Sequence, residues 1–329
     1  MKLDETLKIL HMLANQSLNL WDIPNGATTR LINISENATY LVEAPDYRAI
    51  LRVHRENYHN RIAIESELAW MTALQAEANI DTPDVYCGRN GKRVQSGWIN
   101  GLKEPRFMVL FHFIDGPHPN EKADLTGQFE KLGEIAARTH KHSTTWTRPN
   151  NFKRLIWDSE AVFGPAPLWG NWHAAPGVTP TINSLLHEVE TLLRARLAAF
   201  GQGADRFGLI HADMRLANLI EHRDGPRLID FDDCGLGWYL YDFAAAISFF
   251  EDNKTIPALR RAWVAGYRKI RPVDAFEEYE IGTFVMLRRM ALLAWIGSHI
   301  EAPEPQALAP DFARVTAELG RTYLDTMQN

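Results

Sequence analysis

The sequence predicts an α+β fold in two lobes, a smaller mixed lobe followed by a larger helical one. The chain has 329 residues, more than one small core requires. Short β-prone runs and one long helix fill the first third, and helical patterns dominate after the Asp115-Gly116-Pro117 breaker. Because strands and helices are segregated rather than alternating, we assign residues 1–113 to an N-terminal lobe and 114–329 to a C-terminal lobe.

The first lobe is predicted to hold six strands and two helices. Runs of β-branched and aromatic residues between turn-like segments predict the strands. Apolar residues recur at helical spacing in Arg61–Ala78 and predict the longer helix, which Asp81-Thr82-Pro83 ends. The predicted strands are Thr28–Ile34, Thr39–Glu43, Arg48–Val53, Val85–Gly88, Arg93–Ile99 and Arg106–Phe113, and the first helix is Met1–Leu13.

The second lobe is predicted to be mainly helical. Its predicted helices are Leu125–Lys141, Ile182–Phe200, Tyr241–Glu251, Ile256–Ile270, Asp274–His299 and Phe312–Met327. Asn150–Pro180 is instead rich in Pro, Gly and Trp. A loop of this length and aromatic content is typical of a substrate wall or of a surface packed on the helical lobe.

Composition and charge exclude several classes of protein. The formal net charge of -6 gives no general attraction for a phosphate backbone, so no nucleic-acid partner is expected. Two cysteines cannot form a disulfide framework, which favours a reducing, cytoplasmic location. The apolar stretch Gly282–Gly297 is broken by Arg288 and Arg289 and is too short to span a bilayer. It therefore predicts a buried helix and no membrane partner.

Three polar residues, Asp213, Asn218 and Asp230, each lie beside a short apolar run. Phosphoryl transfer needs a carboxylate that orients the attacking hydroxyl and accepts its proton, and oxygen ligands for Mg²⁺. The same order, a catalytic-loop Asp and Asn followed by a metal-binding Asp before Phe, marks kinases, and Phe231 stands in that place here. We therefore expect a phosphotransferase that uses ATP and Mg²⁺, with Asp213 as the catalytic base and Asn218 and Asp230 as metal ligands.

Two segments, HADMRLANLI from His211 and LIDFDD from Leu228, resemble the aminoglycoside phosphotransferase and choline kinase-like family. This family is a branch of the protein-kinase-like fold. The FDD motif and the Arg-Arg-Met sequence ending at Met290 are most similar to its homoserine kinase type II and stress-response Ser/Thr kinase branches. The resemblance implies a bilobal protein-kinase-like fold with an antiparallel sheet in the small lobe.

The resemblance also implies roles for residues in both lobes. Arg52, in place of the usual lysine, would contact nucleotide phosphates and pair with Glu67. The strand that hydrogen-bonds adenine would include Leu110, Phe111, His112 and Phe113. Asp242 would brace the catalytic loop.

Other residues near the motif allow more than one interpretation. His211 is expected to brace the loop by hydrogen bonding. Arg215 follows the base by two residues and could touch the transferring phosphate or pair with a nearby acid. Asp232 could bind a second metal or substrate, or be a solvated turn residue. Trp238 could contact the acceptor, although tryptophans more often pack in a core.

The acceptor remains open at the level of sequence. The candidates are a small molecule with a hydroxyl group (an amino alcohol, a hydroxy amino acid such as homoserine, or an aminoglycoside) and a protein Ser/Thr. A pseudokinase-like binding module is the alternative from another class. A phosphatase with an Asp nucleophile at Asp230 is rejected, because it leaves Asp213 and Asn218 without a role and requires a parallel α/β sheet.

Overall fold

The computed structural model describes residues 3–34, 37–120, 123–223 and 225–328. The chain divides into two compact units. The first contains Met1–Ala76, Asp81–Asp115 and Arg148–Lys153, and the second contains Glu77–Ile80, Gly116–Thr147 and Arg154–Asn329. The chain passes from the first unit to the second after Asp115. Arg148–Lys153 then belongs to the first unit again, which a single predicted boundary between residues 113 and 114 does not include.

The first unit is built around a five-stranded antiparallel sheet with strand order β1-β2-β3-β5-β4. Its elements are α1 (Leu3–Ser17), β1 (Thr28–Ile34), β2 (Ala38–Ala44), β3 (Tyr47–Val53), α2 (Arg61–Ala78), β4 (Gln95–Gly97) and β5 (Arg106–His112). The sheet confirms the mixed, antiparallel first lobe that the sequence predicts.

The sheet has two different faces because successive side chains of a strand point to opposite sides. One face carries Tyr40, Leu51 and Leu110, which are buried with Leu13 and Ala14 of α1 in one apolar core. Strand alternation places Arg52 of β3 on the other face. The five-stranded sheet is therefore a rigid support that fixes the position of Arg52.

Only part of the predicted strand Val85–Gly88 pairs with its neighbours. Val85 forms an isolated bridge to Phe111, and Gly88 forms another to Trp21. The chain cannot continue along β5 because the Gly88 N–H bonds the Lys92 carbonyl in a tight turn. The predicted strand Arg93–Ile99 is likewise reduced to β4.

The second unit is mainly helical, as predicted, with a three-stranded sheet of order β6-β10-β7 and a hairpin of β8 and β9. Its helices are α3 (Thr126–Thr145), α4 (Ser159–Phe163), α5 (Pro180–Phe200), α6 (Tyr241–Ala246), α7 (Ile256–Arg268), α8 (Ala275–Ser298) and α9 (Pro303–Met327). Its strands are β6 (Leu155–Trp157), β7 (Phe207–Ile210), β8 (Leu219–Ile220), β9 (Arg227–Leu228) and β10 (Gly235–Trp238). The α+β fold class is thereby confirmed.

Helices α3 and α7 pack together through glycines. A Cβ atom on Gly133 would lie 2.0 Å from the carbonyl oxygen of Trp263, and one on Gly266 would lie 1.8 Å from that of Glu130. No larger residue fits at either position without moving a helix backbone. The glycines thus fix α3, which carries His140, against α7.

Helix α8 is buried, as the sequence predicts. Within the part of the chain that the structure describes, it alone has the length and apolar composition to cross a membrane, and 78% of its apolar window is buried inside the protein. A core helix meets the same criterion. Its two arginines, Arg288 and Arg289, are 2% and 3% exposed, so each must find a partner inside the protein.

The predicted helix boundaries differ most from the structure at α9 and α6, and α1 and α3 also end later than predicted, at Ser17 and Thr145. α9 begins at Pro303 rather than Phe312. Pro303 lies in the first turn, where its missing N–H has no partner to lose, and the helix continues through the interior Pro310. α6 ends at Ala246 rather than Glu251, and Phe249 takes a φ of 76° that a helix cannot contain.

Candidate active site

Asp242, in the first turn of α6, braces the chain that leaves β7. Its buried carboxylate accepts hydrogen bonds from the backbone N–H of His211 (3.0 Å) and of Ala212 (2.7 Å). Ala212 has a φ of 67°, a left-handed conformation that is uncommon outside glycine. The two bonds hold this turn, which directs the next residue, Asp213, out of the core.

A buried histidine completes the brace. The ring of His140 lies 2.9 Å from Asp242 Oδ2 through Nε2 and 2.9 Å from the Tyr267 hydroxyl through Nδ1. Burial lowers the pKa of His140, and the positive charge of Arg271 adds to this, although Asp242 acts in the opposite direction. The imidazole is therefore neutral. Its Nε2–H donates a hydrogen bond to Asp242, and its Nδ1 accepts one from the Tyr267 hydroxyl.

The neutral state of His140 predicts a pH-dependent stability. Unfolded histidine takes up a proton below about pH 6.5, whereas folded His140 does not, so the free energy of unfolding should decrease as the pH falls from about 7 to 5. Urea unfolding at several pH values measures this. H140Q should be less stable at pH 8 and should show a shallower pH dependence. H187Q, which changes an exposed histidine of α5, should keep the wild-type slope, and an unchanged slope in H140Q would contradict the assignment.

His211 connects the Asp213 turn to the chain before Asp230. Its Nδ1 accepts the backbone N–H of Asp213 at 3.3 Å, and its Nε2 lies 3.1 Å from the carbonyl oxygen of Ile229. Nε2 must then carry the proton. The structure thus gives His211 a bracing geometry between the two segments.

The carboxylate of Asp213 is held on both oxygens. Oδ1 accepts a bond from Arg288 Nη2 at 2.6 Å, and Oδ2 accepts one from Asn218 Nδ2 at 2.7 Å. Arg215 Nε lies 3.4 Å from Oδ2. Burial alone would raise the pKa of Asp213, but the positive charges of Arg215 and Arg288 outweigh it and keep the pKa below its ordinary value. The group is a fixed, ionised hydrogen-bond acceptor.

Asn218 and Asp230 flank the β8–β9 hairpin. The Ile229 N–H donates to the Asn218 carbonyl at 3.0 Å, so Asp230 directly follows a residue that is bonded to Asn218. Among the described residues, Asn218 makes its side-chain hydrogen bonds through Nδ2, which donates to the carbonyl oxygen and to Oδ2 of Asp213. Its Oδ1 can therefore serve a cation. Asp230 is exposed and has a φ of 59°, which Asp tolerates better than most residues.

This donor set fits Mg²⁺. Asn218 and Asp230 offer hard oxygen ligands, and Mg²⁺ sites commonly use one or two protein ligands completed by phosphates and water. Across the described ranges there is no group of three or more His, Cys, Asp or Glu side chains able to hold a metal. An ion held by Asn218 and Asp230 would take its remaining ligands from phosphate and water.

Arg154 holds the turn after Asp230 through hydrogen bonds to its backbone. This buried guanidinium donates to the carbonyl oxygens of Phe231, Asp232 and Cys234. Asp232 itself is 5% exposed, so it is not a solvated turn residue.

Trp238 and Arg215 also have clear positions. Trp238 is buried, donates its indole N–H to the Gly201 carbonyl at 2.7 Å and packs edge-on against Phe207. Trp238 therefore packs in the core, which is one of the two interpretations that the sequence allowed. Arg215 pairs with Glu304 at 2.9 Å in addition to its contact with Asp213.

In the first unit, Arg52 and Glu67 form a buried ion pair. Arg52 Nη2 lies 2.6 Å from Glu67 Oε1, and the guanidinium lies 4.7 Å from the centre of the Phe111 ring. Removing Arg52 would leave the buried Glu67 carboxylate without this counter-ion. The structure thus brings together the two residues that the resemblance pairs.

The strand expected to bind adenine already uses two of its polar backbone groups. The Leu110 carbonyl accepts the Tyr86 N–H at 2.8 Å, and the His112 N–H donates to the Asp84 carbonyl at 2.9 Å. The His112 ring is stacked on the Tyr86 ring, with 3.7 Å between the two ring centres. These two backbone groups are therefore bonded within the first unit, and the expectation that Leu110, Phe111, His112 and Phe113 contact adenine stays a prediction.

Sequence reasoning missed Arg288 as a site residue. It lies 75 positions from Asp213, and no local pattern links the two. A signal was present, since an arginine inside an apolar helix must be paired when buried. That signal predicts a partner but not its identity.

The arrangement of Asp213, Asn218 and Asp230 on a two-unit α+β frame is that of a kinase-fold phosphotransferase. The model of the phosphotransferase enzyme family matches residues 28–280, and the chain belongs to this family.

Three known proteins are similar to the chain. The structure of a microcompartment-associated aminopropanol kinase is 42% identical, with a TM-score of 0.88, over 95% of this chain and 97% of that one. The amicoumacin kinase hAmiN, solved with AMP-PNP, Ca²⁺ and Ami, shares the fold, with a TM-score of 0.75 and 17% identity over 97% and 94% of the two chains. Homoserine kinase of Neisseria meningitidis serogroup B is 32% identical over 106 residues, 30% of this chain and 33% of that protein. The chain is thus a kinase of the small-molecule type.

Proposed function

We propose that the protein transfers the γ-phosphate of ATP to the hydroxyl of a small amino alcohol in a reaction that requires Mg²⁺. The observation that carries this proposal is the Asp213 carboxylate, which Arg288 and Asn218 fix on both oxygens beside the Asn218–Asp230 hairpin. Such an acceptor, next to oxygen ligands for a cation, is what in-line phosphoryl transfer requires from a protein.

In this mechanism Asp213 accepts the hydrogen bond and then the proton of the acceptor hydroxyl. Asn218 Oδ1 and the Asp230 carboxylate would hold Mg²⁺, and the bound ion would neutralise charge on the phosphates. His211 and Asp242 keep the turn in place by their backbone bonds. The low pKa of Asp213 favours orientation over strong basicity, which suits a transfer with little covalent chemistry.

For the nucleotide, we propose that Arg52 contacts the phosphates and that Phe113 contributes to the adenine site. The pair with Glu67 orients the Arg52 side chain, and a guanidinium can bind phosphate through two parallel hydrogen bonds.

The proposed acceptor class rests on two supports. The similar structure at 42% identity is named an aminopropanol kinase. The net charge of -6 also favours a cationic acceptor over an anionic one. Homoserine is the second candidate, since the homoserine kinase match covers about a third of each chain. A cytoplasmic location without nucleic-acid or membrane partners stays a prediction.

An acceptor panel tests the proposal. ADP release with Mg²⁺ is measured for aminopropanol, ethanolamine, choline, homoserine and an aminoglycoside, with propanediol as the matched control that replaces the amine by a hydroxyl. We expect the highest kcat/KM for an amino alcohol and a lower value for propanediol. Transfer of label to protein alone would favour a Ser/Thr protein kinase. Nucleotide binding without ADP release for any acceptor would favour a pseudokinase-like module. Either result would overturn the proposal.

A further inference from the structure

We propose that Arg288 of α8 is a positioning residue for phosphoryl transfer, which sets the orientation of Asp213 from a distant part of the chain. This inference rests on the proposed role of Asp213. It assigns to the C-terminal helices a function in the reaction beyond packing.

The first support is that Arg288 uses all three guanidinium nitrogens. Nη2 donates to Asp213 Oδ1 at 2.6 Å, Nη1 donates to the Ala212 carbonyl at 3.1 Å, and Nε donates to the Ser248 hydroxyl at 3.1 Å. The guanidinium therefore holds the base and the residue before it at the same time. Because its donors lie in one rigid plane, the three bonds define a single orientation.

The second support is the conformation that Arg288 holds. Ala212 has a left-handed φ of 67°, and Asp242 binds its N–H while Arg288 binds its carbonyl. Asp213 Oδ2 is held separately by Asn218. Without Arg288, Asn218 and Arg215 would contact Oδ2 but no described side chain would hold Oδ1, so the carboxylate could rotate about its bond to the chain.

The third support is the shielding of Arg288 from water. Its side chain is 2% exposed, and its guanidinium lies 4.9 Å from the ring centre of Trp169 and 5.7 Å from that of Tyr241. Trp169 is anchored to the end of α8 because its carbonyl accepts the Ser298 hydroxyl at 2.6 Å. The aromatic segment Asn150–Pro180, predicted as a substrate wall or as a surface packed on the helical lobe, thus covers the guanidinium through Trp169 and strengthens its bonds to Asp213.

Arg289 provides a matched control on the same helix. It is equally buried, and it pairs with Glu251 at 2.7 Å, Thr316 at 2.8 Å and the Phe312 carbonyl at 3.2 Å. None of these groups belongs to the Asp213 turn. Arg289 is thus a buried arginine with a structural role, and comparison with it separates positioning from stability.

The test compares R288K, R288M and R289K with the best acceptor of the panel. Misplacement of a catalytic group by about 1 Å costs on the order of 100-fold, so we expect R288M to lower kcat by about 100-fold. R288K should retain part of the activity, with kcat lowered about tenfold, because an ammonium keeps the charge but cannot make three planar bonds. KM for ATP should stay within about threefold in both variants. R289K should lower the melting temperature and leave kcat within about twofold of wild type.

A double variant distinguishes the two proposals. If Arg288 acts through Asp213, R288M should cost less than about threefold in kcat when D213N is already present. Wild-type turnover in D213N would overturn the proposed function itself. Low turnover in D213N with unchanged kcat in R288M and R288K would overturn only the inference about Arg288, as would an equal loss of kcat in R289K. If R288M does not fold, R288K, which keeps the positive charge, decides the question.

Discussion

D213N should lose nearly all phosphoryl transfer while it still binds ATP. Asparagine has the size of aspartate but cannot accept the proton of the acceptor hydroxyl. General-base groups contribute about 10² to 10⁴ in rate, so we expect kcat to fall by about 10³-fold or more. The dissociation constant for ATP should stay within about threefold, because no proposed nucleotide ligand is removed. Assays of ADP release measure kcat, and calorimetric titration with AMP-PNP measures the dissociation constant of the nucleotide.

The structure gives this experiment a specific control. Loss of the Asp213 charge leaves Arg288 buried without a counter-ion, which could unfold part of the site. The D213N/R288M variant removes both charges, and its melting temperature should exceed that of D213N if the buried charge is the cause. Wild-type kcat in D213N would exclude Asp213 as the base.

D230N should lose the Mg²⁺ dependence of nucleotide binding. Its carboxylate is one of two proposed protein ligands, and Mg²⁺ contributes several kcal/mol to stabilisation of the transition state. A loss of at least about 100-fold in kcat is therefore expected. AMP-PNP affinity is titrated with and without Mg²⁺. In wild type the cation should increase the affinity, and in D230N the two affinities should converge.

Asp46 is a suitable control for this substitution. It is exposed and has a φ of 57°, close to the 59° of Asp230, but it lies in the turn between β2 and β3. Asparagine is accepted in this conformation, so neither D46N nor D230N should strain the backbone. Normal Mg²⁺ dependence in D230N, or its loss in D46N, would show that the cation binds elsewhere.

Much of the fold was predictable because its signals are local. β2, β3 and β5 are short runs rich in β-branched, aromatic and other apolar residues, and α2 has apolar residues at helical spacing, so each signal lies within one segment. Predicted helix boundaries are wrong where a local rule has an exception. Three prolines, Pro303, Pro305 and Pro310, precede the predicted start at Phe312. Pro303 stands where a helix tolerates proline and α9 continues through Pro310, so the predicted helix is nine residues short.

The candidate site was predictable only where its residues are close in sequence. Asp213, Asn218 and Asp230 were found because a loop and one short hairpin carry all three. Arg288 and His140, which hold that loop through Asp213 and Asp242, come from helices 75 and 102 positions away from these partners. Their side chains give no periodic signal, and their pairing is decided by tertiary packing. The sequence also could not predict which backbone groups of β5 are already bonded, because this depends on the neighbouring segment that bonds to Leu110 and His112.

The convergence of Asp213, Asn218 and Asp230 on one cation and one hydroxyl is tested most directly by a crystal of the protein with Mn²⁺, ADP and the preferred acceptor. The anomalous signal of Mn²⁺ distinguishes the metal from water and from lighter ions. We expect the Mn²⁺ peak within ligand distance of Asn218 Oδ1 and the Asp230 carboxylate, and the acceptor hydroxyl within hydrogen-bond distance of Asp213. A metal bound at other residues, or an acceptor hydroxyl out of reach of Asp213, would contradict the account.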